Sequence, residues 1–301
     1  MWSLLSSWGP GPLVAQQNEA LRFAQAYQTI DQYVEQQMSA AHTPGRALAV
    51  TNREGLLRVS AYGFADTKAR IPVTPETRFE IGSISKSFAA IAVLQLRKQG
   101  KVDVDKPLTD YLPWLGIDSR YAPITVHHFL THTAGIQSDR DDVPSSLYQP
   151  LVLAEKPTGY APGTRFAYSN VGYETLSVMV EQLTGKSFPE VTEERILRPL
   201  GMTHSDPAIT HDSRRQLAVG YVPMYDDRPA RPSDPLVEGT WLEYGAGDAN
   251  LASTPADLAA YLRMLLNHGV GPNGRIISEE DFGLMTQRTV IMDQKEKPPV
   301  Y

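Results

Sequence analysis

The chain has 301 residues, of which 42% are hydrophobic and 21% charged, and a formal net charge of −6. That length and composition suit one large domain, or two intimate subdomains, around a substantial core. The acidic balance, with no Lys/Arg-rich run to offset it, excludes broad attraction to nucleic acid or anionic lipid, and the lack of cysteine excludes disulfides, thiolate catalysis and Cys-ligated metals.

Residues 1–18 read as a leader without order, in preference to a degenerate signal segment. Trp2, Leu4, Leu5, Trp8, Leu13 and Val14 lend an apolar tint, but Gly9-Pro10-Gly11-Pro12 interrupts it and the first basic residue is Arg22. A single domain is expected over 19–301. No apolar run approaches the roughly 20 residues that cross a bilayer, so no integral membrane span is expected.

Over 18–41 the residues Leu21, Phe23, Ala24, Tyr27, Ile30, Val34 and Met38 recur at helical spacing, and Thr43-Pro44-Gly45 ends the run. Segments 46–52 and 56–65 read as strands joined in a hairpin at Arg53-Glu54-Gly55, and 78–81 as extended. The stretch 87–96, SFAAIAVLQL, is apolar on almost every side, as a helix in the middle of a domain is, with Gly100 placed to cap it. Further helices are predicted at 126–131, 173–184 with Gly185 as cap, 188–196 and 255–266. Long loops rich in Pro, Gly and Asp cover 138–163 and 223–247 and are placed to shape a pocket. The pattern is a sheet-containing layer and an α-helical lobe, and the sheet is undersupplied, since two strands alone are marginal.

Ser83-Ile84-Ser85-Lys86 is the one place where a lysine follows a serine by three. On a helix that spacing puts both on one face, so the amine can reach the hydroxyl. A serine is a poor nucleophile until a base takes its proton, and an amine does so only when neutral. Burial or a nearby cation favours the neutral amine, and a helix N-terminus favours the charge that develops on an attacked carbonyl oxygen. Taken alone, the motif reads as a serine cap beside a solvated lysine. Tyr168-Ser169-Asn170 lies in a turn before the 173–184 helix. Tyr168 could shuttle protons to Ser83 and Lys86, and Asn170 could hold Lys86 and a substrate amide. Alone, that motif reads as a structural tyrosine beside a turn-forming asparagine.

Six ordered blocks occur together: FEIGSISKSFAAIAVLQL, GKVDVDKPLTDYLP, ITVHHFLTHTAGI, PGTRFAYSNVGYETLSVMVEQLTGKSF, ILRPLGMTHSDP and LASTPADLAAYLRMLLNHG. In order and spacing, from about 46 to 285, they resemble the class C β-lactamase-related serine hydrolases and penicillin-binding proteins, for which S-x-x-K is a known mark. The resemblance implies a β-lactamase/transpeptidase-like α/β (α+β) fold: an antiparallel sheet flanked by helices, an all-helical lobe, and an active-site cleft between them. It implies that Ser83 forms an acyl-enzyme that water hydrolyses, that Lys86 and Tyr168 share the acid–base work, and that Asn170 positions. The Ser83 N–H would supply half of an oxyanion hole. The implied substrate is a small-molecule or peptide-like ester or amide, with esterase, peptidase and β-lactam-hydrolase-like chemistry all open. No cofactor, metal or nucleic-acid partner is implied, and the family's habit points to a periplasmic or secreted location.

The family's third motif, Lys or His followed by a small residue and Gly on a late strand, has no counterpart after residue 253. His268-Gly269-Val270-Gly271 falls in the turn after a helix. An incomplete C-terminus is therefore expected, with C-terminal strands missing, which leaves the activity of the fragment itself open even where a longer parent is active. The rival from another class is a non-catalytic β-lactamase-like binding or scaffolding domain. Intact Ser83, Lys86, Tyr168 and Asn170 argue against it; the missing motif argues for it. His128 and His132 lie four apart but have neither H-E-x-x-H nor a third ligand, so packing and hydrogen bonding are expected of them. Asp139-Arg140-Asp141-Asp142 reads as a solvated loop. Gly185-Lys186-Ser187 is no phosphate loop, because Val180 stands where the first glycine is needed, and no G-x-S-x-G elbow occurs.

Overall fold

The computed structural model describes residues 12–136, 148–225 and 227–287 except 156, 232, 242 and 244, with side chains from residue 23 onward. Helix α1 (Pro12–Ala41) begins inside the segment read as a leader and leads into the hairpin of β1 (Gly45–Thr51) and β2 (Leu56–Asp66). The strands pair antiparallel with Ala47 opposite Ala61. Their turn is fixed by Asn52, whose Oδ1 accepts the N–H groups of Glu54 and Gly55. Asp31 ties α1 to the hairpin through Arg58 at 2.6 Å and through the Tyr62 hydroxyl. A third strand, β3 (Ile71–Pro72), pairs with the end of β2. Among the described residues no sheet is larger than these three strands, as the sparse strand signal anticipated.

After β4 (Phe79–Glu80), a 3-10 turn at Gly82–Ile84 runs straight into α2 (Ser85–Lys98). This helix is buried around its circumference because two hydrophobic cores meet on it. Ala89, Ala92, Val93 and Leu96 belong to one core, with Phe129, Leu176, Met179 and Phe188. Phe88, Ile91 and Leu94 belong to the other, with Ile196, Leu197, Tyr261 and Met264. A helix apolar on all sides is stable only in such a place.

The helical lobe continues with α3 (Val126–Leu130), α4 (Tyr148–Leu151) and α5 (Asn170–Thr184). Helix α5 starts three residues before the predicted 173, because the Ser169 hydroxyl accepts the Gly172 N–H and caps it there. Gly185, with φ 71°, closes its other end. The predicted 188–196 helix is α6 (Phe188–Thr192) followed by a π-helical turn at Glu193–Leu197 and α7 (Arg198–Leu200). Next come α8 (His211–Arg214), β5 (Tyr221–Pro223), β6 (Leu236–Glu238) and β7 (Ala252–Ser253). Strand β6 pairs with β5, so the 223–247 loop is partly a ribbon, and β7 pairs with β4 just ahead of Ser83. Helix α9 (Pro255–Leu266), capped by Thr254 as Pro255 enters, has the predicted bounds and packs on β1 and β2. A small hairpin of β8 (Val270–Gly271) and β9 (Gly274–Arg275) then leads to α10 (Glu279–Thr286).

Candidate active site

Ser83 stands exposed in the 3-10 turn, held from behind by the Ile81 N–H, which donates to Leu251 O at 2.9 Å. Lys86, one turn further on, is 6% exposed. Its Nζ lies 3.4 Å from Ser83 Oγ, 2.7 Å from Asn170 Oδ1 and 2.6 Å from the carbonyl oxygen of Asp248. The Tyr168 hydroxyl donates to Ser83 Oγ at 2.6 Å, and its ring lies 4.8 Å from Lys86 Nζ. The four residues singled out in the sequence are thus brought together from three places: the mouth of α2, the segment before α5 and the first turn of α5.

Two participants were not read from sequence as part of this group. One is the Asp248 carbonyl. Its segment lies against α2 and α5 because residue 247 is glycine: a Cβ there would stand 2.9 Å from Ala89 Cβ and 3.0 Å from Tyr173 O. The sequence signal was the run of small residues Gly245-Ala246-Gly247, which has no single meaning on its own.

The other is His132. Its Nδ1 accepts the Ser169 N–H at 3.0 Å, and its ring stacks on Tyr168 with centroids 4.6 Å apart. It takes a left-handed backbone, φ 55°, to reach that place. Burial first, and the positive field of Lys86 second, lower its pKa to about 4, so at neutral pH it is an uncharged acceptor. Tyr173, beside the same imidazole, donates its hydroxyl to Leu130 O at 2.9 Å, and burial raises its pKa.

His128 does not join His132. Its Nδ1 accepts the Thr125 N–H at 3.1 Å in a capping box that starts α3. In Gly185-Lys186-Ser187 the glycine caps α5, the serine caps α6, and Lys186 pairs with Glu194. The Asp139–Asp142 tetrad lies outside the described residues.

Two cavities border the nucleophile's turn. One of about 420 Å³ has Ser83, Lys86 and Tyr168 in its wall. The other, of about 760 Å³, extends from Gly82 past Glu80 to Arg214, Arg215 and Trp241. Chemically, the group near Ser83 offers a hydroxyl hydrogen-bonded to a phenol and within reach of an amine, at a helix entrance where partial positive charge gathers.

The family model described as Beta-lactamase matches residues 30–295. Penicillin-binding protein 4 of Amycolatopsis lactamdurans is 30% identical over 258 residues, covering 82% of this chain and 66% of that one. Protein flp of Staphylococcus aureus strain N315 is 26% identical over 203 residues, covering 64% of this chain, and only 41% of that protein's length is spanned. Among solved structures, the octameric penicillin-binding protein homologue from Pyrococcus abyssi superposes with a TM-score of 0.75 at 28% identity, covering 89% of this chain and 61% of that one.

Proposed function

The chain belongs to the beta-lactamase family of serine hydrolases, and from that premise we propose that it acts by acyl transfer through Ser83 on a small ester or amide. The observation that carries this reading is the position of Ser83 Oγ, 2.6 Å from the Tyr168 hydroxyl and 3.4 Å from Lys86 Nζ. A neutral lysine has two N–H donors and one lone pair. Asn170 Oδ1 and Asp248 O take the donors, which leaves the lone pair for the Ser83 proton, directly or by way of Tyr168. Oγ then attacks the substrate carbonyl, and the Ser83 N–H stabilises the oxyanion. Collapse of the tetrahedral adduct breaks the bond to the leaving group, which takes its proton from Tyr168. Water, deprotonated by the same pair, hydrolyses the acyl-enzyme.

The test is intact-mass spectrometry after exposure to a fluorophosphonate and, separately, to penicillin, the latter chosen because one relative bears the name of a penicillin-binding protein. A single adduct that disappears in Ser83→Ala supports the reading. A folded sample with no adduct supports the alternative, a non-catalytic binding domain of the same fold.

A further inference from the structure

We propose that the cavity of about 420 Å³ beside Ser83 receives an apolar arm of the substrate, an alkyl or aryl chain attached next to the scissile carbonyl. The proposal rests on the serine-hydrolase reading and narrows it to hydrophobic esters. Because Ser83, Lys86 and Tyr168 form part of the cavity wall, an occupant touches the reacting atoms and not a remote surface. The volume lies in the range of small-molecule sites, roughly 300–1,000 Å³.

From Ser83 in the 3-10 turn the cavity follows one stripe of α2, where Ser87, Ala90 and Leu94 continue at helical spacing. The small side chain of Ala90 leaves the room, and Leu94 carries the apolar wall onward. Val104 and Leu130 face this stripe from the helical lobe, and Leu284 and Met285 of α10 close the far side. That far wall is anchored. Arg97 of α2 holds Asp281 at 2.6 Å and Glu280 at 2.7 Å, so α10 does not need to be organised by the ligand.

Several polar groups of the lining are already engaged by the protein. Among the described residues Lys86 is the one Lys or Arg of the lining, and that amine already faces Ser83, Asn170 and the Asp248 carbonyl. The Ser87 hydroxyl donates to Ile84 O at 2.6 Å and accepts from Tyr261 at 2.7 Å. The Thr131 hydroxyl donates to His127 O at 2.8 Å. Methylene groups set against Ala90, Leu94, Val104, Leu130, Leu284 and Met285 gain by leaving water, whereas an ionised group there would lose its water against apolar side chains.

The experiment measures the rate of Ser83 labelling by n-alkyl fluorophosphonates whose chain grows from ethyl to octyl, using the whole 301-residue chain. In this reaction the Oγ–P bond forms as fluoride leaves, and the serine proton passes to Lys86 or Tyr168. The inactivation constant is expected to tighten by about fourfold per added methylene until the cavity is full, with the limiting rate nearly constant. Lengthening the carbon-linked and oxygen-linked arms separately shows whether the acyl or the alcohol side occupies the cavity. Met285→Trp, which fills the space with apolar mass, and Leu284→Gln, which makes its wall polar, are both expected to flatten the series. Labelling of Ser83 that is indifferent to chain length in the wild type overturns the pocket and leaves the hydrolase reading standing. So does a chain-length dependence that persists unchanged in either folded variant, since it then reflects general greasiness. No adduct with any reagent overturns both.

Discussion

Lys86 and His132 both lie against the ring of Tyr168, and what each is asked to do with a proton sets what its substitution should do. In the proposed mechanism an amine takes the Ser83 proton only through a lone pair, so a side chain that keeps its charge and never exposes one should fail as a base. Lys86→Arg is therefore expected to slow fluorophosphonate labelling of Ser83 by about 10²–10⁴-fold, measured on protein whose circular dichroism matches the wild type. Labelling within a factor of a few would remove Lys86 from the chemistry. His132 holds the segment next to Tyr168 as a neutral acceptor, and its pKa falls from 6.5 to about 4 on folding. As pH drops, the unfolded chain takes up that proton first. The contribution to stability is thus full above pH 6.5 and is lost as pH falls towards 4. It amounts to at most about 3 kcal/mol over that window. His132→Phe keeps the stacking but removes the titrating group, so its urea midpoint should depend less on pH between 6.5 and 4. An unchanged slope in the variant would assign the acid sensitivity elsewhere. The cluster was legible where side chains of distinctive type form it, as at Ser83, Lys86, Tyr168 and Asn170. The Asp248 contribution is a main-chain carbonyl, which every residue possesses and no residue type announces.

Helix α2 owes its place to having no polar face, and its interior residues should be costly to trim. Phe88, fully buried, stacks on Tyr261 with centroids 4.3 Å apart. Phe88→Ala is expected to cost about 3–5 kcal/mol in urea unfolding, while a loss below about 1 kcal/mol would mean that the second core collapses readily around the gap. At the other end of the helix, Arg97 balances Asp281, which is 0% exposed. Arg97→Met leaves that carboxylate buried without its cation, so a loss of about 3–5 kcal/mol is expected, and with it the anchor of α10. Restoration of stability by the double change with Asp281→Leu would show that the unpaired charge carried the cost. Elements of this kind were legible because their pattern is long and self-consistent: the apolar run of α2, the two strand segments on either side of Arg53-Glu54-Gly55, the 255–266 run of α9. The first turn of α5 was misplaced because its start depends on a single hydroxyl, that of Ser169, and both Tyr168 and Asn170 are equally at home in a turn. Strands as short as β4 and β7 carry no periodicity; their pairing follows from where the long elements place them.

At the scale of the molecule, the two cores are not separable bodies. Helix α2 gives Ala89, Ala92, Val93 and Leu96 to one and Phe88, Ile91 and Leu94 to the other. The segment from α6 into the π-helical turn does the same, with Phe188 and Val191 on one side and Ile196 and Leu197 on the other. If either core opened alone, half of each shared element would face water, losing burial from both sides of the boundary. Unfolding is therefore expected as one cooperative transition, despite a chain length at which intermediates are common. Ser83 stands at the entrance to α2 and should lose its reactivity in that same step. Far-UV circular dichroism, tryptophan fluorescence and fluorophosphonate labelling should share one urea midpoint. Leu176→Ala in the first core and Phe88→Ala in the second should each move all three probes together. If Leu176→Ala shifted only part of the ellipticity while labelling kept its wild-type midpoint, the helical lobe would be unfolding alone, and α2 would be packed beside that lobe without coupling it to the site.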